Sequence, residues 1–462
     1  MVDRQACERA LSCALQKGGD FAEIYFEDAL SGNLVMRDGA IDTATTERTH
    51  GAGIQVYCGL NSVYVHTCDT TPGGLARAAA QAADAIGQAR ATGADITLCA
   101  RENGRDLHEA LILPEDTPGA TKVEILRAAH DAAKGFDPLI AQAQARLMDE
   151  DKRVVICNSD GLFTTDRRTR VRLAIQAIAS ANGENQIGFD GPGALSGYEL
   201  FEHIDVTACA RQAAGTAITM LKAEQCPAGE MPVVIDNGFG GVIFHEACGH
   251  SLEATAIALG NSEFCGKLGQ KIASDVVTAV DDGTIPGAWG SINIDDEGTP
   301  AGKLTLIENG VLKGYMVDRL NGRRMGMAPT GSARRQSYAY APTSRMRNTF
   351  IAPGETEDDE IIRTMGDGLY ARRMGGGSVN PVTGEFNFSV SEGYLVKDGR
   401  ILKPVRGATL IGRGAQVLML IDRVGKNLAL AEGMCGSISG SVPVCVGQPM
   451  IRVSRMTVGG RK

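Results

Sequence analysis

Turn dipeptides between apolar segments restrict the fold of this sequence more than any other feature. LIENGVLKGYMVD and LVKDGRILKPV each place Asn-Gly or Asp-Gly between runs of strand-forming residues, the strongest short-range signal of a β-hairpin. VVICNSDGLFTTD repeats the pattern at Asp160-Gly161, and GIQVYCGLNSVYVHT predicts a hairpin around residues 59–61. The chain has 58 glycines among 462 residues, which suits many tight turns. We therefore expect a hairpin-rich β architecture rather than a helical bundle.

Helical periodicity divides the remainder of the chain. Amphipathic helices are predicted over Arg4 to Gln16, in GGLARAAAQAADAIGQA, in TKVEILRAAHDAAKG and from Glu199 to Lys222. The predicted fold class is α+β, with helix-plus-antiparallel-sheet units followed by a mostly antiparallel C-terminal β domain. The predicted domain boundaries are an N-terminal α+β unit at residues 1–90, a connection at 91–118, a second α+β unit at 119–228 and a β-rich catalytic domain at 229–462.

Composition argues against several classes of protein. The formal net charge is −9 and the pI about 5.4, so no overall positive field exists to attract nucleic acid. No apolar stretch approaches the length of a membrane span, and the N-terminus lacks the apolar core of a signal peptide. Twelve cysteines without a C-x-x-C pair are typical of reduced thiols. We expect a cytoplasmic protein that binds neither membrane nor nucleic acid.

The segment FHEACGH, residues 244–250, contains a His-Glu pair followed by a second histidine. His245 and His250 are five residues apart, whereas the familiar zinc motif H-E-x-x-H separates its histidines by four. On a regular helix five residues leave the side chains about 140° apart, so they could not share a metal ion. In a π-type turn the difference falls to roughly 50°. We therefore predict a helix from about Gly241 to Ala258 with a local distortion at residues 247–249.

The motif favours a catalytic zinc site. Such a site takes three protein ligands, and a carboxylate beside the metal can act as general base. His245 and His250 are two candidate ligands, and Glu246 is the candidate base. Two structural histidines on a buried helix are the alternative interpretation of this segment.

The residues alone do not decide which side chain is the third metal ligand. Glu253 follows His250 by three positions and could be a ligand or a partner of the histidine. Cys435 and Cys445 lie in GMCGSISGSVPVCVGQP, where glycines on either side of Cys435 would allow close approach to the metal. Cys248 lies inside the motif, but the predicted distortion turns it away. The sequence alone does not rank Glu253 against Cys435.

Several blocks in a fixed order resemble the TldD/PmbA family of metallopeptidases, on its TldD side. They span the C-terminal unit from about Val233 to Gly460, and GGDFAEIYFED near the N-terminus also fits. The C-terminal blocks are FHEACGHSLE, VDDGTIPGAWGSINIDDEGTP, LIENGVLKGYMVDRLN, GGGSVNPVTGEFNFSVSEGYLV, GATLIG and CGSISGSVPVCVGQP. Matching blocks over more than two hundred residues are far more specific than the histidine motif alone.

The resemblance implies a zinc peptidase whose ligands are His245, His250 and Cys435 and whose base is Glu246. It also implies unfolded or small peptide substrates and pairing with a PmbA-like chain that lacks the metal motif; a homodimer is the alternative assembly. Cys445 stands where the family usually has glycine. A catalytically silent partner or scaffold subunit, and a DNA gyrase modulator, are the alternative functions.

Two charged segments allow a structural or a functional interpretation. Asp281-Asp282 and Asp295-Asp296-Glu297 lack the ligand alternation of a calcium loop, so they are expected to be acidic turns. The arginine-rich residues 318–349 are expected to form a solvated loop, or alternatively a groove wall that contacts a peptide carboxylate or a developing oxyanion.

Overall fold

Long antiparallel hairpins dominate the N-terminal half of the computed structural model, which describes residues 2–87, 95–101, 106–380 and 383–460. The first strand pairs with the second along its whole length, from Phe21 opposite Tyr57 to Arg37 opposite Ala40. The N-terminal strands are β1 (Phe21–Arg37), β2 (Ala40–Cys58), β3 (Asn61–Thr67), β4 (Cys99–Ala100), β5 (Ile140–Asn158), β6 (Leu162–Ala181), β7 (Glu184–Asp190) and β8 (Gly193–Ala194).

These strands form one eight-stranded sheet in the order β3-β2-β1-β5-β6-β4, with β7 and β8 also paired to β6. Strands from residues 1–90 and from residues 119–228 therefore share a sheet through the β1–β5 pairing. Apolar helix faces cover the sheet and bury its alternating apolar residues. The helices of this half are α1 (Arg4–Leu15), α2 (Pro72–Ile86), α3 (Gly119–Lys134), α4 (Leu200–His203) and α5 (Val206–Lys222).

Two predicted helices and the predicted connection of the N-terminal half differ from the described structure or extend beyond it. The helix predicted from Glu199 to Lys222 is interrupted, because the Asp205 side chain accepts hydrogen bonds from Thr207 N and Ala208 N and starts α5 anew. Residues 88–89 of the second predicted helix lie outside the described residues. Residues 91–94 and 102–105 of the predicted connection also lie outside them.

The turn dipeptides form the predicted hairpins. Asp38-Gly39, Asn309-Gly310 and Asp398-Gly399 all have positive φ at both residues, from 47° to 82°. This conformation belongs to the tight turn whose twist matches that of the flanking strands. The hairpins at Asp160-Gly161 and around residues 59–61 are also present. The four hairpins predicted from the sequence are therefore confirmed, and Asp38-Gly39 forms a fifth hairpin turn, between β1 and β2, that was not predicted.

The C-terminal half contains two further large sheets. One has the order β17-β10-β24-β20-β18-β19-β9 with β21 paired to β24, the other β13-β12-β11-β16-β23-β22, and β14 pairs with β15. Their strands are β9 (Glu224–Gln225), β10 (Gly229–Ile235), β11 (Ala279–Asp282), β12 (Lys303–Glu308), β13 (Val311–Leu312), β14 (Ala333–Arg334), β15 (Thr343–Ser344), β16 (Asn348–Ile351), β17 (Gly368–Val379), β18 (Glu385–Lys397), β19 (Arg400–Arg406), β20 (Thr409–Arg413), β21 (Ile421–Val424), β22 (Ala429–Ser437), β23 (Gly440–Gln448) and β24 (Ile451–Gly459). Most pairings are antiparallel, so the α+β class is confirmed.

The histidine motif lies on a series of short helical turns within the largest hydrophobic core. The continuous helix predicted from Gly241 to Ala258 is therefore wrong. The turns are a 3-10 helix (Gly238–Gly241), α6 (Val242–Phe244), a π-helix (His245–Gly249), a second 3-10 helix (His250–Leu252) and α7 (Ala254–Ile257). The remaining helices are α8 (Arg319–Met325), α9 (Asp358–Arg363) and α10 (Gly414–Leu420).

Buried ion pairs join the N-terminal sheet to the C-terminal half. Arg168 on β6 contacts Asp296 at 2.6 Å, and Arg335 contacts Glu23 on β1 at 3.3 Å. Within the C-terminal half, the wholly buried Arg347 pairs with Asp281 at 2.7 Å. The solvated loop expected at residues 318–349 is therefore wrong for Arg335 and Arg347, whose charges are buried and paired. The acidic turn expected at residues 295–297 is present, although its side chains are buried, whereas Asp281-Asp282 end strand β11. Among the described residues, no helix is both long and apolar enough to cross a membrane.

Candidate metal centre

The five-residue spacing of the histidines is accommodated by a π-helix at His245–Gly249. The backbone N–H of His250 donates to the carbonyl of His245, five residues earlier, which adds the extra residue to the turn. The predicted distortion is therefore confirmed. Gly249 is required here by space, because a Cβ on it would lie 2.2 Å from Sδ of the buried Met346.

The turn brings both histidines against Cys435. Nε2 of His245 and Nε2 of His250 each lie 3.3 Å from the Cys435 Sγ. The three donor atoms are all within 4.8 Å of one another. The imidazole rings meet edge to face, with centroids 5.0 Å apart. Two nitrogens and one sulfur thus converge on one point from three directions.

Cys435 is held in place by the hairpin of β22 and β23 and by Arg345. Its carbonyl accepts a hydrogen bond from the guanidinium of Arg345, a side chain with no exposed surface. Burial alone raises the pKa of the Cys435 thiol, but the charges and hydrogen bonds of His245 and His250 outweigh burial and lower it to about 4. The sulfur is therefore a thiolate at neutral pH, the form that binds metal.

Glu253 lies behind His250. Its carboxylate is 3.3 Å from Nδ1, the ring nitrogen opposite the one that faces Cys435. Burial lowers the pKa of His250, but the Glu253 carboxylate and Cys435 outweigh it and hold that pKa well above its usual value. A carboxylate on the far nitrogen fixes the orientation of a histidine ligand. The geometry therefore places Glu253 as a partner of His250.

Glu246 lies at the open side of the group. Its Oε2 is 3.8 Å from Nε2 of His250, and its side chain is 26% exposed. A carboxylate in this position reaches both solvent and the point on which the donors converge.

The other two cysteines considered from the sequence lie apart from this group. Cys445 is buried opposite Glu432 in the β22–β23 pairing, and burial raises the pKa of its thiol to about 12. Cys248 is part of the hydrophobic core, where burial also raises the pKa of its thiol. Among the described residues, the group able to hold a metal ion consists of His245, His250 and Cys435.

The donor set fits a zinc-like ion. Typical zinc distances to nitrogen and sulfur place tetrahedral N and S donors roughly 3.5 Å apart. The observed separation of 3.3 Å is close to this value. Two imidazoles and one thiolate also match the soft donors that zinc prefers.

Arg345 was not singled out by the sequence, although it connects two parts of the site. Its Nε lies 3.8 Å from Glu253, and its Nη2 donates to Cys435 O. It belongs to the arginine-rich segment that the sequence presented as a loop. No local signal marks its burial, because the alternation of Arg345 and Arg347 with apolar Met346 is typical of a half-exposed strand whose charges face solvent.

Three sequence models of one family match the chain. PmbA/TldA metallopeptidase domain 1 matches residues 22–86, the central domain 112–221 and the C-terminal domain 228–460. The metal-site geometry lies within the third match.

Relatives extend this similarity over almost the whole chain. A metalloprotease TldD homolog of Haemophilus influenzae is 36% identical over 449 residues, covering 96% of this chain and 93% of the relative. A metalloprotease of Methanothermobacter thermautotrophicus is 33% identical over 441 residues, covering 96% of each chain.

Two solved structures share the fold. A putative modulator of a DNA gyrase from Thermotoga maritima has a TM-score of 0.79 at 21% identity, covering 95% of this chain and 96% of that one. TldE from Thermococcus kodakarensis has a TM-score of 0.74 at 19% identity, covering 98% and 100%. At these identities the likeness concerns the fold alone.

Proposed function

Because the chain belongs to the PmbA/TldD family of metallopeptidases, we propose that it hydrolyses peptide bonds with a zinc ion held by His245, His250 and Cys435. The observation that carries the proposal is the convergence of these three donors within 4.8 Å. Glu246 at their open side is the proposed general base. Zinc is favoured over harder divalent ions by the thiolate donor.

The chemistry divides between the ion and the protein. A metal ion bound here would polarise the scissile carbonyl and make water more acidic. The Glu246 carboxylate takes a proton from the attacking water and returns it to the leaving amine nitrogen. Water adds to the carbonyl carbon, the C–N bond breaks, and a new carboxylate and a new amine result. Glu253 keeps the His250 ring in position throughout.

The proposed substrates are unfolded or small peptides. The site lies on turns within the hydrophobic core, His245 is 3% exposed, and the group meets solvent only on the side of Glu246. An extended chain brings a peptide bond to such a largely buried point more readily than a folded protein does. Assembly with a PmbA-like partner or with a second copy would enclose the site further, and light scattering with and without that partner tests which assembly forms.

The experiment that tests the proposal compares Cys435→Ala with Cys445→Ala. Bound zinc and cleavage of an unstructured peptide are measured for both variants and for the unmodified chain, with and without a PmbA-like partner. Cys435→Ala is expected to lose most zinc and cleavage, whereas Cys445→Ala keeps both. Full zinc retention in Cys435→Ala would move the third ligand to Glu253 or Cys445 and contradict the assignment.

A silent scaffold and a DNA-binding modulator are the alternative functions. A structural metal site has no need of a free carboxylate such as Glu246, which speaks against the scaffold. A chain with a formal net charge of −9 has no overall positive field to attract DNA. Salt-sensitive DNA affinity without peptide cleavage would favour the modulator.

A further inference from the structure

A cavity of about 400 Å³ lies between the N-terminal sheet and the C-terminal half. One wall is formed by β5 and β6, and another by the β22–β23 hairpin through Met434 and Pro443. Met434 precedes Cys435, and adjacent strand residues point to opposite faces. The hairpin therefore directs Cys435 toward the histidines and Met434 toward the cavity.

The cavity wall is strongly positive. It contains seven arginine or lysine side chains against three aspartate or glutamate side chains, an excess of four positive charges. Alternate positions of β6 supply three of the arginines, Arg168, Arg170 and Arg172, which share one face of the strand. Arg334 enters from the C-terminal half. The positive charge of the wall thus comes from both halves of the chain.

Three of these guanidinium groups have no carboxylate partner. Arg170 donates to the carbonyls of Trp289 and Ser291, and Arg334 donates to the carbonyl of Met346. Arg172 donates to two backbone carbonyls and lies over the Trp289 ring. Among the described residues, no carboxylate lies within 4.0 Å of any of the three groups. By contrast, Arg168 is neutralised by Asp166 and Asp296.

The unpaired guanidiniums repel one another. Burial lowers the pKa of Arg334 to about 9, and the charge of Arg170 contributes to the shift. Burial likewise lowers the pKa of Arg170 to about 10. A buried charge without a partner is costly, so this arrangement is stabilised by any anion that enters.

We propose that this cavity binds a carboxylate of the peptide substrate, either a C-terminal carboxylate or an acidic side chain, through Arg170, Arg172 and Arg334. The inference rests on the proposed peptidase function and adds a preference for acidic peptides. Guanidinium groups suit the planar carboxylate because they can donate two parallel hydrogen bonds. A volume of about 400 Å³ fits part of a peptide better than a single small anion.

The test is equilibrium binding without turnover. Fluorescence anisotropy is measured on the full chain carrying Glu246→Gln, with one labelled peptide made as a C-terminal amide, as a free acid, and as an amide with one Gln replaced by Glu. At least one carboxylate-bearing form is expected to bind roughly ten-fold more tightly than the neutral amide. The form that gains affinity identifies the source of the carboxylate.

Substitutions of cavity arginines test whether the preference for carboxylate-bearing peptides arises in the cavity. Arg334→Gln is expected to abolish it, and Arg172→Gln, at a partly exposed position, is expected to weaken it. Arg167→Gln is the matched control, because Arg167 lies on the opposite face of β6 and pairs with Asp151. Circular dichroism checks folding, and Arg172→Gln decides the question if Arg334→Gln does not fold.

Two results would overturn the inference. One is equal affinity for all three peptides. This result would overturn the inference even if inorganic phosphate raised the unfolding temperature of the unmodified chain and not that of Arg334→Gln. The other is a preference that survives in folded Arg334→Gln and in Arg172→Gln. Because binding is measured in a variant that lacks the proposed base, a failure of peptidase activity leaves this test intact.

Discussion

Single residues behind the donors determine where the donors point. Glu253 contacts Nδ1 of His250 at 3.3 Å, and Arg345 lies between Glu253 and the carbonyl of Cys435. One carboxylate and one guanidinium therefore connect a histidine to a cysteine 185 residues away. Such outer contacts orient the ligands and raise their basicity.

Glu253→Gln should weaken zinc binding without unfolding the protein. Loss of the carboxylate frees the His250 ring, so zinc affinity is expected to fall roughly 10- to 100-fold. Competition with a chromophoric chelator measures the change. The control is Glu308→Gln, which alters an exposed carboxylate paired with Lys313. Equal zinc affinity in the two variants would show that Glu253 does not support the site.

At the scale of elements, the sequence predicted the turns whose conformation depends on the residues of the turn itself. The Asp-Gly and Asn-Gly turns require positive φ whatever surrounds them, so their hairpins could be predicted. The π-turn could be predicted because the two histidines must share a face. The division of the rest of the predicted helix into short turns has no local sequence signal. β16 packs against the first 3-10 turn and the π-helix, and α10 packs against the π-helix, and such long-range contacts are not encoded locally. Reasoning from the residues left Cys435 open because it lies 190 residues from His245.

Gly249→Ala should disturb the π-turn. The added methyl would lie 2.2 Å from Sδ of Met346, so one of the two segments must move, at a cost of about 1–3 kcal/mol. A lower unfolding temperature and weaker zinc binding are expected. Combining the change with Met346→Ala should destabilise less than the sum of the single effects.

Gly302→Ala is the control for this prediction, because nothing lies within 4 Å of the added methyl. Equal unfolding temperatures for Gly249→Ala and Gly302→Ala would contradict the close contact at Met346.

At the scale of the molecule, buried charges join the two halves. The pairs Arg335–Glu23 and Arg168–Asp296 cross 312 and 128 positions of sequence. A buried charge is costly without its partner, so an arginine is buried only where the fold brings a partner to it. Since these partners are distant in sequence, the sequence alone does not show which arginines are buried. The cavity lined by Arg170 and Arg334 could not be predicted either, because these two arginines are distant in sequence and meet only in the fold.

Glu23 should make stability depend on pH. Burial raises its pKa to about 7, although Arg335 opposes the rise, and its Oε2 has no hydrogen-bond partner among the described residues. The folded-state pKa lies above the unfolded value of about 4.3, so the stabilisation from protonated Glu23 is present below pH 4 and is lost as the pH rises through 7. Glu23→Gln, which stays neutral, should gain in unfolding temperature relative to the unmodified chain between about pH 5 and 8.

Differential scanning calorimetry across this pH range measures the effect. Glu47→Gln, at an exposed position of β2, is the control and should show a constant difference. A constant difference for Glu23→Gln as well would contradict the raised pKa.

The most direct measurement of the proposed function compares zinc content and peptide cleavage in Glu246→Gln and the unmodified chain. Glu246 lies beside the three donors without being one of them, so its replacement should remove the base and leave the metal. Full zinc content with cleavage reduced roughly 10²- to 10⁴-fold is the predicted result. Undiminished cleavage by Glu246→Gln would contradict the proposed mechanism.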